Sequence, residues 1–130
     1  MFTQIKTSKE NKEVVALLTR KLGLGTENVI ARIAYTYSLS QDKKLDLNDI
    51  KDAGGKEYSK SVLFGDYYDI YIGLLCAHYS LYKTDKDIGR YIKMHVDEGL
   101  RILNQEVNKR SNIDGFDFLS ELIQSNLADI

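Results

Sequence analysis

Between residues 22 and 34 the chain reads LGLGTENVIARIA, and this stretch constrains the fold more than any other. An apolar-periodic run ends at Leu22, two glycines flank Leu24, and a second periodic run begins after Thr26. Gly23 suits the left-handed position that ends a helix, because it has no Cβ to collide there. Thr26 is a good N-cap, and Glu27 suits the positive end of a helix macrodipole. The stretch predicts a helix, a reversal within three residues and a second helix. At least one of Gly23 and Gly25 is expected at positive φ.

The first helix reads back from that turn. Thr7 and Glu10 have capping-box spacing. Val14, Val15, Leu17, Leu18 and Leu22 form an apolar stripe, with Lys9, Lys12, Glu13, Arg20 and Lys21 mostly outside it. Before it, FTQIKT has the alternation of a short strand, with Phe2, Gln4 and Lys6 on one face and Thr3, Ile5 and Thr7 on the other. Such a strand needs a partner strand, and another subunit is one source. In the second helix Val29, Ile30, Ile33, Ala34 and Tyr37 make the expected buried face, which fades near Ser40. Residues 41–65 read as a loop region, with a strand-like EYSKSVLF stopped by Gly65. Asp46 to Glu57 has the length of a calcium loop. Ile50 at a ligand position and Lys51 in place of the required glycine exclude that site.

Asp66 is expected to cap a third helix reaching about Lys83. Its apolar residues Tyr67, Ile70, Tyr71, Leu74, Leu75, His78 and Leu81 cover more than half its circumference, so burial on several sides is expected. A fourth helix starts near Asp85 and carries Ile88, Tyr91, Ile92, His95, Val96, Leu100 and Leu103. A last helix holds Phe116, Leu119, Leu122, Ile123 and Leu127. The absence of proline lets all of these run uninterrupted. The reading is one domain over residues 1–130, with a strand–helix–turn–helix unit at 1–40, a loop region at 41–65, a helical pair at 66–103 and a C-terminal helix at 111–130. The class is mainly α, a helical bundle whose first unit is ribbon-helix-helix-like.

Chemistry is sparse. The single cysteine, Cys76, excludes an intrachain disulfide and a thiolate metal site within one subunit. It sits in an apolar helix, where an inert thiol is expected. His95 and Glu98 are one turn apart, but a histidine on an apolar face is expected to be a hydrogen-bonded core residue, without metal. No phosphate-binding glycine motif, nucleophile elbow or paired cysteine spacing is present. No cofactor and no enzymatic activity are expected. No signal pattern or membrane-length apolar run appears, so a soluble, cytoplasmic protein without membrane contact is expected.

The net charge of -1 gives no overall attraction to nucleic acid, yet residues 1–60 carry 11 Lys/Arg against 8 Asp/Glu. A ribbon-helix-helix unit places its second helix N-terminus, here Thr26 to Val29, beside a phosphate backbone. Lys9, Lys12, Arg20 and Lys21 are the cations expected near it, with Thr26 adding a hydroxyl. A plain helical hairpin capped by Thr26 explains the same pattern.

Three segments, LGLGTENVIARIAYTYSL, GGKEYSKSVLFGDYYDIYIGLL and YIKMHVDEGLRIL, together resemble the DndE family of bacterial DNA sulfur-modification proteins. They lie in the family's order over roughly residues 8–103; the segment after Val107 looks like an extension. The resemblance implies a component of DNA phosphorothioation, related to ribbon-helix-helix folds, tetrameric, and binding duplex or nicked DNA through surface lysines. It implies partners that carry the sulfur chemistry, including an iron–sulfur protein. One cysteine cannot hold a four-thiolate cluster, which agrees with an accessory role. Two further readings stand beside it: an assembly adaptor touching only proteins, and a DNA-strand-nicking enzyme, for which no acidic metal cluster or Tyr/His/Arg set stands out.

Overall fold

The computed structural model describes residues 2–110 and 114–128, with side chains to residue 125. The parts of the expected last helix at 111–113 and 129–130, and the Leu127 side chain, lie outside the described residues. The protein is mainly α. Its elements run β1 (Gln4–Lys6), α1 (Lys9–Leu22), α2 (Glu27–Ser40), β2 (Glu57–Ser59), α3 (Lys60–Phe64), α4 (Tyr68–Tyr79), α5 (Ile88–Asn108) and α6 (Gly115–Ala128).

The strand finds its partner inside the chain. β1 pairs antiparallel with β2, placing Gln4 opposite Ser59, Ile5 opposite Tyr58 and Lys6 opposite Glu57. Alternation then fixes the faces: Ile5 and Tyr58 point into the core, while Gln4, Lys6 and Glu57 face outward. The rest of EYSKSVLF is helix, because Ser59 accepts the Val62 N–H and caps α3.

The turn forms as its glycines require. Gly23 has φ 61 and Gly25 φ 138, and the Gly23 N–H closes α1 on the Thr19 carbonyl. The start of α1 differs from the capping-box expectation. Ser8 is the N-cap, and Thr7 is drawn to residue 56 instead, with its hydroxyl donating to the Lys56 carbonyl and accepting the Lys56 N–H. The Ser8 N–H donates to Asp97 Oδ1 at 3.0 Å, so α5 supplies the carboxylate that a local Glu10 was expected to supply.

α5 packs most extensively on α2. A Cβ on Gly99 would lie 1.8 Å from the Ala34 carbonyl oxygen, so only glycine permits this approach. The crossing turns α2 away from the expected face. Ile30, Ala31, Ala34, Tyr35 and Ser38 are buried, while Val29, Ile33 and Tyr37 are only half-buried. The third helix is shorter than expected. A 3-10 turn over Gly65–Tyr67 precedes α4, Asp66 does not cap it, and α4 ends at Tyr79, with Ser80 left-handed. Ile72 and Leu75 are buried in α4, but Tyr67, Ile70 and Leu74 are exposed, as is Val62 of α3. Burial on several sides therefore does not occur within the chain. α5 begins at Ile88, after Asp87, and buries Ile92, Val96, Leu100 and Leu103. α6 docks on α1 through buried Phe118 and Leu122, leaving Phe116 and Ile123 exposed. No helix among the described residues is long and apolar enough to cross a membrane.

Candidate nucleic-acid interface

The cations of α1 lie on its solvent side because Asn11, Val15, Leu18 and Leu22 occupy the opposite, buried side. Lys9, Lys12, Arg20 and Lys21 are all exposed, and none pairs with a carboxylate among the described residues. The helix divides them. Arg20 and Lys21 end α1 beside the glycine turn and Thr26, where they also complement the helix's negative end. Lys9 and Lys12 stand at the other end, about 16 Å away at 1.5 Å per residue. The five expected residues thus form two groups, Lys9 with Lys12 at the start of α1, and Arg20 and Lys21 with Thr26 around the glycine turn.

Thr26 has the extended backbone of an N-cap, and its carbonyl accepts the Val29 N–H at 3.0 Å. Its hydroxyl bonds the Asn28 side chain instead of a backbone N–H, so the first turn of α2 has no side-chain cap. The adjacent Glu27 carboxylate is paired with Lys56 at 3.0 Å. Arg32 is not available as a surface cation, since its Nε donates to the Leu63 carbonyl at 2.6 Å and closes the end of α3.

The N-terminal end of α1 sits on a polar knot. Buried Asp97 accepts from the Ser8 N–H, the Asn11 Nδ2 at 2.8 Å and the Lys93 Nζ at 2.8 Å, and Lys93 also donates to the Asp52 carbonyl. Asp52 accepts the Lys9 and Gly54 N–H groups, which hold its carboxyl below the usual range.

His95 is fully buried between α2 and α4. Its Nδ1 lies 2.8 Å from Ser38 Oγ and its Nε2 2.7 Å from Tyr79 Oη. The Tyr79 oxygen also accepts the Leu45 N–H. Both ring nitrogens are therefore hydrogen-bonded to hydroxyls, one donating and the other accepting in the neutral ring. Burial, with His78 adding to it, lowers the His95 pKa to about 4, so the ring is neutral at pH 7. Glu98 turns instead to Arg101. Cys76 is half-buried, and burial raises its pKa, as does Asp85 to a smaller degree. No group of three or more His, Cys, Asp or Glu is placed to hold a metal ion among the described residues.

Two clefts are lined by other elements and include no α1 residue. One, of 300 Å³, lies between the 43–51 loop and α5, and its lysines and Arg101 are offset by Asp46, Asp49 and Glu98. The other, of 490 Å³, lies between β1 and the start of α5, and its lining includes Lys6, Lys86, Arg90 and Lys93 without a carboxylate. Sequence reasoning passed over Lys6, Lys86 and Arg90 as binding residues. They come from a strand, a turn and a helix, and only the alternation of β1 marked Lys6 as outward.

A strand–helix–glycine-turn–helix unit, braced by a long helix and faced with unpaired cations, defines a small, mainly helical protein of ribbon-helix-helix-like build. The family model for the DNA sulphur modification protein DndE matches residues 4–111, and the chain belongs to that family, which is involved in DNA phosphorothioation. The fold is similar to the crystal structure of DndE from Escherichia coli B7A, involved in DNA phosphorothioation modification. Identity is 18%, the TM-score is 0.63, and the match covers 79% of this chain and 98% of that one. A DndE mutant with glycine-to-lysine changes, involved in DNA phosphorothioation, is similar at 19% identity and TM-score 0.64, with the same coverage. No curated protein matches the chain. The family match stops before α6.

Proposed function

We propose that this chain is a non-catalytic, cytoplasmic accessory of DNA phosphorothioation that holds duplex or nicked DNA by its backbone. The observation that carries this reading is that Lys9, Lys12, Arg20 and Lys21 are exposed around the solvent side of α1 and have no ion-pair partner among the described residues of a DndE-family chain. Cations without internal partners keep their field and release counterions when they meet phosphate. Thr26 and the uncapped first turn of α2 add donors next to Arg20 and Lys21. The sulfur chemistry then belongs to other proteins of the modification system.

The exposed apolar residues Val62, Tyr67, Ile70 and Leu74 support assembly with further copies of the chain, a tetramer by family resemblance. At about 25 cal/mol per Å² of apolar area, covering such a patch contributes several kcal/mol before association costs. The same patch favours the adaptor reading if DNA binding fails.

The test is a charge swap. Arg20→Glu with Lys21→Glu is expected to abolish duplex binding at physiological salt while circular dichroism and light scattering show an unchanged fold and assembly. Wild-type affinity for nicked and intact duplex in the folded double mutant would move the DNA to another face.

A further inference from the structure

The groove between β1 and α5 belongs to none of the α1 contacts. Gln4 and Lys6 of β1 form one wall, and Lys86, Arg90 and Lys93 line the other side. A second furrow of 270 Å³, lined by Thr3, Ser59, Lys60 and Ser61, shares Phe2 with it and likewise has no carboxylate in its lining. Phe2 is a firm divider. It lies so close to α5 that a Cβ on Gly89 would come within 2.8 Å of its Cβ, and its ring meets Phe64 edge-on at 6.5 Å.

The charges there are not balanced locally. Lys6 and Lys86 have no ion-pair partner among the described residues; Glu57 stands opposite Lys6 in the ribbon but outside ion-pair range. Arg90 pairs at 3.2 Å with Asp87, both groups partly exposed, an interaction weak enough for a phosphate to replace. Lys93 is turned inward and neutralised by Asp97, so the uncompensated charge of the groove comes from Lys6 and Lys86. Shape selects the ligand. A duplex is a stiff cylinder with its bases stacked inside, so it can neither follow a short furrow nor offer a base to the Phe2 ring. A concave cationic furrow with hydroxyls and an aromatic divider suits one flexible strand, whose phosphates follow the cations and whose bases meet the ring.

We infer that the β1–α5 groove, continuing past Phe2, binds a single nucleic-acid strand through its phosphodiester backbone, separately from a duplex on α1. The inference rests on the proposed function only in taking the ligand to be DNA. The test titrates the full chain with a labelled oligo-thymidine strand and, separately, with a blunt duplex, over a range of salt. Lys6→Gln, Lys86→Gln and Arg90→Gln are combined in one variant. It is expected to weaken strand binding at least tenfold, flatten the log–log salt slope by about 2, at roughly 0.7 per contact on single strands, and leave duplex binding within twofold. If the triple variant does not fold, Lys86→Gln alone is expected to flatten the slope by about 0.7.

Unchanged strand binding overturns the inference, as does equal loss of strand and duplex. Complete displacement of the strand by millimolar pyrophosphate, with no dependence on strand length, would reduce the groove to a site for free phosphate and also overturn it. Wild-type protein that binds duplex but not strand sinks the groove and leaves the proposed function standing. Binding of neither sinks both.

Discussion

The two ends of α1 each carry a pair of exposed cations and are anchored by opposite physics. At the N-terminal end the anchors are hydrogen bonds and charge: Ser8, Asn11 and Lys93 converge on the Asp97 carboxylate, and the Lys9 N–H is held by Asp52. At the C-terminal end the anchors are steric and apolar. Gly23 reverses the chain, Leu22 is buried, and the start of α6 abuts the Leu22 carbonyl and the Leu24 side chain. A buried polar knot fixes a geometry strictly and fails badly when one member is lost. An apolar end yields by degrees. The knot thus fixes the backbone beneath Lys9 by hydrogen bonds, whereas the backbone beneath Lys21 is fixed by the glycine turn and the burial of Leu22.

The comparison breaks most visibly at Asp97. Asp97→Ala leaves buried Lys93 without its counter-charge and the Ser8 N–H without an acceptor, and is expected to cost about 3–5 kcal/mol in urea unfolding. A loss below 1 kcal/mol would mean that the knot is solvated and the two ends are alike. Acid weakens the same end: Asp52 has a depressed folded-state pKa, so its contribution is present above its unfolded value and is lost as pH falls through the folded one. At the other end Gly23→Ala meets no atom within 4 Å but retains φ 61, so its cost is backbone strain alone, about 1 kcal/mol. A larger thermal shift for Gly23→Ala than for Asp97→Ala would invert the ranking. Thr26→Ala is expected to have the smallest effect, about 0.5 kcal/mol or less, because its hydroxyl makes no cap bond. A loss of a full kcal/mol would show that Thr26 caps α2 in solution and sharpen the C-terminal anchor.

What the sequence disclosed follows from how far each signal reaches. The α1–α2 turn and the end of α2 at Ser40 were legible because glycines and caps act on their own neighbours. The β1–β2 pairing was not, since its residues lie more than 50 positions apart and neither strand is apolar enough to announce itself. On the α2 face Ile30 and Ala34 read correctly, but hydropathy weights Val29 and Ile33 above Ala31 and Ser38, which are the residues that the fold buries. The decisive quantity was the missing Cβ of Gly99 against the Ala34 backbone. His95 read correctly as a hydrogen-bonded core residue, yet its partners Ser38 and Tyr79 had no signature. The α1 cations were visible from periodicity, whereas the Lys6–Lys86–Arg90 groove exists only once three distant elements meet.

The contact of Gly99 with the Ala34 carbonyl makes α2 and α5 a pair of levers on one pivot. From that point α5 extends about 13 Å back to Arg90, and α2 about 10 Å back to Glu27, at 1.5 Å per residue. Slipping α5 by one residue would drive Leu100 onto the pivot, where its Cβ would collide with the Ala34 carbonyl. The helices therefore cannot slide to accommodate a load at one tip. A strand drawn along the β1–α5 groove and a duplex seated beside Thr26 would be held at a span set by helix geometry, as the jaws of a fixed gauge are set by its frame.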